Sequence, residues 1–126
     1  MRQKYFICER CGNIVEVVKP SGVPLMCCGQ KMTELIPGTT DGAAEKHVPV
    51  VVVDGTKVSV SVGQVEHPMV EAHYIEWIAL ETKNGYQRKA LKPGEAPATN
   101  FAITEDDEVV AAYAYCNLHG LWKAEV

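Results

Sequence analysis

Short runs rich in β-branched and aromatic residues, rather than any helical repeat, set the pattern of this chain. In the first forty or so residues (roughly, by the usual run lengths) three such runs stand out, Tyr5 to Ile7, Ile14 to Val18 and Met32 to Ile36. Beyond them come Val48 to Val53, Lys57 to Val62, Tyr74 to Leu80, Tyr86 to Leu91, Ala98 to Ile103 and Val109 to Tyr115. Turn dipeptides separate several of these runs: Asp54-Gly55, Asn84-Gly85 and Pro93-Gly94. Asn84-Gly85 between two runs predicts a type I′ hairpin, because that turn needs positive φ at both central residues. About seven short strands in the second part predict a mainly β protein with a β-sandwich. Only Glu105 to Ala112 admits a helical turn before its strand.

Composition narrows the class. With 47% hydrophobic and 22% charged residues the chain is an ordinary globular protein, not a disordered one. A net charge of -4 and the lack of any basic run argue against nucleic-acid binding, which needs clustered Lys and Arg. The longest apolar stretch, Val48 to Val53, is too short to span a bilayer. No long apolar core precedes the first cysteines, so the N-terminus does not read as a signal peptide and a cytoplasmic location is expected. In a reducing compartment five cysteines point to metal ligands or reactive thiols rather than disulfides.

Ligand-type residues divide the chain. Cys8, Cys11, Cys27 and Cys28 fall in the first part; Cys116 and every histidine fall after residue 46. With a turn at Pro37-Gly38, two modules are expected, residues 1–37 and 38–126. The first is too short to bury a sufficient core and needs a staple. Cys8-x-x-Cys11 can turn two sulfurs to one ion, with Gly12 permitting the tight backbone, and Cys27-Cys28 would complete a tetrahedron. Adjacent residues of an extended chain point to opposite sides, so the backbone must bend at this second pair, beside Gly29. Four thiolates suit zinc or iron equally.

His47, His67, His73, Cys116 and His119 are the remaining candidates. His67-Pro68 holds one histidine in extended backbone. His73 precedes the run at Tyr74, and His47 stands at the edge of the run near Pro49. Cys116-Asn117-Leu118-His119 closes the run ending at Tyr115 with a turn able to aim two side chains at one ion. Four imidazoles and a thiolate exceed what a closed structural zinc site needs and leave one position open on a six-coordinate metal, a catalytic arrangement. The mixed set favours iron, and a thiolate opposite the open position would push electron density toward whatever binds there.

Glu45 and Lys46 directly precede His47. Taken alone they read as a solvated loop. The alternative is that Lys46 draws an anion to the open position. At roughly 7 Å and an effective dielectric of about 20 that attraction is about 2 kcal/mol. The overall negative charge opposes it weakly, because salt screens beyond about 8 Å.

At this point the chain resembles desulfoferrodoxin, the two-iron superoxide reductase family. The matching stretches are CERCGNIVEV with the later CC, EKHVPV, HPMVEAHYIEWI and CNLHGLWKAEV, which together span nearly the whole chain. The resemblance implies a desulforedoxin-like module with ferric iron on Cys8, Cys11, Cys27 and Cys28, followed by an immunoglobulin-like β-sandwich. It implies a second, ferrous iron with His47, His67, His73 and His119 equatorial and Cys116 axial, whose open position takes superoxide. One electron and two protons then give hydrogen peroxide. It gives Lys46 the guidance of superoxide and the positioning of water, and Glu45 the sixth position of the ferric state. A rubredoxin-like electron donor is expected at family level, and a homodimer would give the small module buried surface that it lacks. Two other readings remain: a zinc-ribbon-like module on a binding domain without redox chemistry, and a pure electron carrier.

Overall fold

The computed structural model describes residues 4–40 and 42–126. The chain divides between Ile36 and Pro37 into two compact units.

In the first unit, β1 (Lys4–Ile7) pairs with β2 (Ile14–Val17) and β5 (Thr33–Glu34), giving the order β2-β1-β5. A two-residue hairpin of β3 (Met26–Cys27) and β4 (Gln30–Lys31) stands apart. The run Met32 to Ile36 thus contributes only two residues of strand. Its buried apolar side chains are Tyr5, Met32 and Cys8. That is a thin interior for a unit of this size.

The second unit opens with one turn of helix, α1 (Ala44–His47), which places His47 on helix rather than at a strand edge. Seven strands follow: β6 (Pro49–Asp54), β7 (Lys57–Val62), β8 (Ile75–Thr82), β9 (Tyr86–Ala90), β10 (Ala98–Ala102), β11 (Val109–Cys116) and β12 (Gly120–Glu125). They form two antiparallel sheets, β10-β7-β6 and β12-β11-β8-β9, in an immunoglobulin-like sandwich. Alternation in β7 sends Val58, Val60 and Val62 inward to meet Ile75, Ile78 and Leu80 of β8, Phe101 of β10 and Ala112, Ala114 and Cys116 of β11.

β12 has no counterpart among the predicted runs. The Cys116-to-His119 turn, read from the sequence only as a metal turn, is also the hairpin joining β11 to β12, with Cys116 opposite Gly120. The segment from Glu105 forms no helix before β11. The hairpin at Asn84-Gly85 forms, but not as type I′. Thr82 N–H donates to Gly85 O at 2.9 Å, so the two loop residues are Lys83 and Asn84. Neither they nor Gly85 has positive φ. Lys83 N–H bonds Glu108 O at 2.9 Å, and Asn84 N–H bonds Asp107 Oδ1 at 3.2 Å. Tethering to the neighbouring loop thus overrides the local dipeptide preference.

Strand pairing gathers one end of the sandwich. Pro49 at the start of β6 lies opposite Val62 at the end of β7. Ile75 at the start of β8 lies opposite Cys116 at the end of β11. The residues just before β6, between β7 and β8, and just after β11 therefore share that end.

Candidate metal centres

In the first unit the chain reverses after Cys8: Gly12 N–H donates to Cys8 O and Cys8 N–H to Asn13 O, both at 2.8 Å. Gly12 takes φ +84. At the other end of the cluster Cys28 has φ 52, the only positive value for a non-glycine among the described residues, and Gly29 follows at φ 74. This left-handed pair is the bend that lets adjacent cysteines face one point. All four sulfurs lie within 4.8 Å of one another. Cys11 Sγ is 3.6 Å from Cys27 Sγ, which is 4.0 Å from Cys28 Sγ. A tetrahedron with metal–sulfur bonds of about 2.3 Å has edges of about 3.8 Å, so the spacing fits one ion. It is far too long for a disulfide, and all four are free thiols. The Cys11 backbone N–H, ahead of other hydrogen bonds, draws the Cys8 thiol down to about 6, while hydrogen bonding to Cys11 and the other sulfurs pushes Cys28 up to about 12. The Cys8 sulfur is thus the most readily ionised, and an arriving cation must displace protons from Cys27 and Cys28.

In the second unit four imidazoles stand at the corners of a square. Ring centroids are 4.6 Å apart for His47–His67, 4.7 Å for His67–His73, 5.1 Å for His73–His119 and 4.9 Å for His119–His47. The His47–His73 diagonal is 6.5 Å, close to the ratio for a square. Neighbouring rings are turned by 67 to 80°. The donor atoms of His47, His67, His73 and Cys116 lie within 4.8 Å of one another. His119 falls outside that tightest set, and its ring takes the corner facing His67.

Hydrogen bonds fix what these rings can do. His47 Nδ1 is 2.7 Å from Ala43 O, and His67 Nδ1 is 2.7 Å from Pro68 O. A carbonyl only accepts, so each Nδ1 carries the proton and each Nε2 presents a lone pair. Those two Nε2 atoms are 3.1 Å apart. Nitrogens at right angles about 2.1 Å from one ion would be about 3.0 Å apart. Without a cation, two lone pairs would face each other. His73 Nε2 is buried with no hydrogen-bond partner. The donor set therefore fits a metal ion and leaves its buried polar atoms unsatisfied otherwise.

Burial pulls His67 down to about 4 and lowers His47 and His73, because it disfavours the charged imidazolium. Burial also raises the Cys116 thiol, while backbone N–H groups of Leu118 and His119 aim at its sulfur and favour the thiolate.

Supporting contacts were not visible as such in the sequence. Asn117 Nδ2 donates to Ala72 O, and Tyr74 N–H donates to Asn117 Oδ1, both at 3.0 Å. The Asn117 amide thus brackets His73 and ties it to the turn carrying Cys116 and His119. An asparagine beside a ligand cysteine, whose amide can mimic a peptide, was the available signal. Trp122 stacks on His47 with centroids 5.0 Å apart and donates its indole N–H to His119 O at 3.0 Å. Nothing in the sequence singled it out. Glu45 and Lys46 are exposed on α1, and the Lys46 charge reaches the rings of His47 and His73.

Known proteins are similar to this chain. The family described as Desulfoferrodoxin matches residues 39–125, and the Desulfoferrodoxin N-terminal domain matches residues 1–35. The desulfoferrodoxin of Nitratidesulfovibrio vulgaris is 52% identical over 94% of this chain and 92% of its own. A desulfoferrodoxin homolog of Archaeoglobus fulgidus is 51% identical over 93% of this chain and 92% of its own. The crystal structure of the superoxide reductase from Treponema pallidum superposes with a TM-score of 0.84 at 40% identity, covering 99% of this chain and all of that one.

Two outcomes follow from the site. Folded His67 binds fewer protons than unfolded His67 between its folded value of about 4 and its ordinary 6.5. Metal-free protein is therefore fully stabilised by this group above pH 6.5 and loses that stability as pH falls toward about 4. The loss from His67 is about 3 kcal/mol. Urea unfolding of chelator-treated protein across that range should show it, and His67→Gln should flatten the slope; equal slopes in the two proteins would refute the assignment. Asn117→Ala should weaken metal retention at the histidine site about 10- to 100-fold, measured by chelator competition, with the four-cysteine site unaffected.

Proposed function

The chain belongs to the desulfoferrodoxin family, and from that premise we propose that it is a superoxide reductase carrying out the one-electron reduction of superoxide to hydrogen peroxide without dismutation. The observation that carries this reading is the square of imidazoles with a buried thiol beside it. Five donors leave a six-coordinate iron one position for a substrate, which a structural zinc site or a closed electron carrier would not.

Two irons would be held, one by Cys8, Cys11, Cys27 and Cys28, the other by His47, His67, His73, His119 and Cys116. An iron held at the histidine site would supply one electron to superoxide, which with two protons gives hydrogen peroxide. The protein's own groups do the rest. Ala43 O and Pro68 O hold two rings with Nε2 inward. Leu118 and His119 N–H groups steady the Cys116 thiolate. Lys46 concentrates the anionic substrate and orders the water that delivers a proton, and Glu45 supplies a carboxylate for the oxidised site. Residues 1–37 and 38–126 act as a desulforedoxin-like module and the catalytic domain. A rubredoxin-like protein is the proposed electron donor, a homodimer the working assembly and the cytoplasm its place; no helix among the described residues is long and apolar enough to cross a membrane.

Reduced, iron-loaded protein should consume superoxide and yield one hydrogen peroxide per superoxide with no oxygen evolved. Absence of that stoichiometry would sink the reading. Lys46→Ala should slow the encounter about tenfold at low salt, with the difference shrinking as ionic strength rises. A rate unchanged and insensitive to salt would remove Lys46 from the mechanism.

A further inference from the structure

α1 is too short to hold its own position. It spans Ala44–His47 and has no side-chain N-cap bond. Besides the His47 ring bond to Ala43, the bonds at its ends are Lys46 N–H to Ala43 O at 3.0 Å and Val48 N–H to Ala44 O at 2.9 Å. A single turn in water is unstable, so its place comes from what it rests on. That support is the connection from β7 to β8. An ideal Cβ built on Gly63 would fall 2.4 Å from Glu45 O, 2.7 Å from the Lys46 carbonyl carbon and 3.0 Å from the Glu45 carbonyl carbon. All three are backbone atoms, so no rotamer change makes room. Val65 N–H donates to the same Glu45 O at 2.9 Å. The support is itself anchored: Val62 N–H bonds Pro97 O at 2.8 Å, and His67 N–H bonds Val62 O at 3.1 Å.

We infer that Gly63 is a positioning residue for the reaction: its missing side chain lets the Glu45–Lys46 backbone settle onto the β7–β8 connection, and this seat sets where the Lys46 and Glu45 side chains stand beside His47. The inference rests on the role proposed above for those two side chains. Any β-carbon at residue 63 forces α1 away from the connection. The bond between His47 Nδ1 and Ala43 O lies within the displaced turn and moves with it. The histidine keeps its tautomer, and its ring shifts together with the lysine.

The test is a double-mutant cycle with an independent structural readout. Superoxide consumption at low ionic strength is measured for reduced, iron-loaded wild type, Lys46→Ala, Gly63→Ala and the double variant. Lys46→Ala should cost about tenfold in the native background and less than about threefold once Gly63 is alanine. Amide hydrogen exchange of the full chain with zinc in its sites should show Val48 and Val65 exchanging about tenfold faster or more in Gly63→Ala, with β11 unchanged. A full Lys46 effect in the Gly63→Ala background overturns the inference, as does unchanged protection of Val48 and Val65. If Gly63→Ala does not fold, Val65→Pro decides, since it removes the N–H bonded to Glu45 and leaves residue 63 alone; collapse of the Lys46 effect supports the seat and its retention refutes it. Should wild type fail to consume superoxide, the functional reading falls, while the zinc-loaded exchange experiment still judges the seat.

Discussion

A neutral imidazole has one lone pair, and the hydrogen bond at its other nitrogen decides where that lone pair points. At His47 and His67 backbone carbonyls take Nδ1, so both Nε2 atoms face inward 3.1 Å apart. Protonation would relieve the repulsion in water, but burial lowers both pKa values and blocks that escape. His73 adds a third buried nitrogen with no partner. The cluster is thus unfavourable by itself and favourable around a cation. Everything else in the second unit serves to hold that arrangement in place.

The sandwich can do so because its core does not depend on the site. Val58, Val60, Ile78, Leu80 and Phe101 are buried in an interior closed by alanines of β11. Antiparallel register then delivers ligands from three stretches of chain to one end, before β6, between β7 and β8, and after β11. Each stretch is fastened to another. The Asn117 amide ties the His73 stretch to the last hairpin, Trp122 ties that hairpin to His47, and the Gly63–Val65 segment supports α1. Cross-bracing of loops, rather than rigidity of any one of them, sets the geometry.

The strands of the sandwich were legible because β-branched runs bounded by turn residues have few other solutions. β12 was not, since its turn contains no glycine or proline pair and was already accounted for as ligand sequence. Asn84-Gly85 misled on turn type because Asp107 and Glu108 hold the loop, a contact that no local pattern encodes. α1 was hidden for the same reason: four residues carry no periodicity, and its support comes from Gly63 and Val65, distant in sequence. The ligand types were readable from their scarcity and placement. The square was not, because ring orientation depends on Ala43 and Pro68 carbonyls that any residue could supply.

The two units put metal to different physical use. The first buries Tyr5, Met32 and Cys8 as its apolar interior, and its strands are two to four residues long. Ordering such a chain costs about 1–2 kcal/mol per residue in backbone entropy, which that interior cannot offset. Ion binding and folding are therefore one event there, and a fully coordinated site with four sulfurs is the form that maximises the metal's contribution. The second unit has its own core, so its metal need not be saturated by protein donors to keep the fold. A stable scaffold can leave a coordination position for substrate, whereas a unit folded by its ion gains from occupying every one. That contrast explains why chemistry belongs to the histidine site although the cysteine site is the simpler motif.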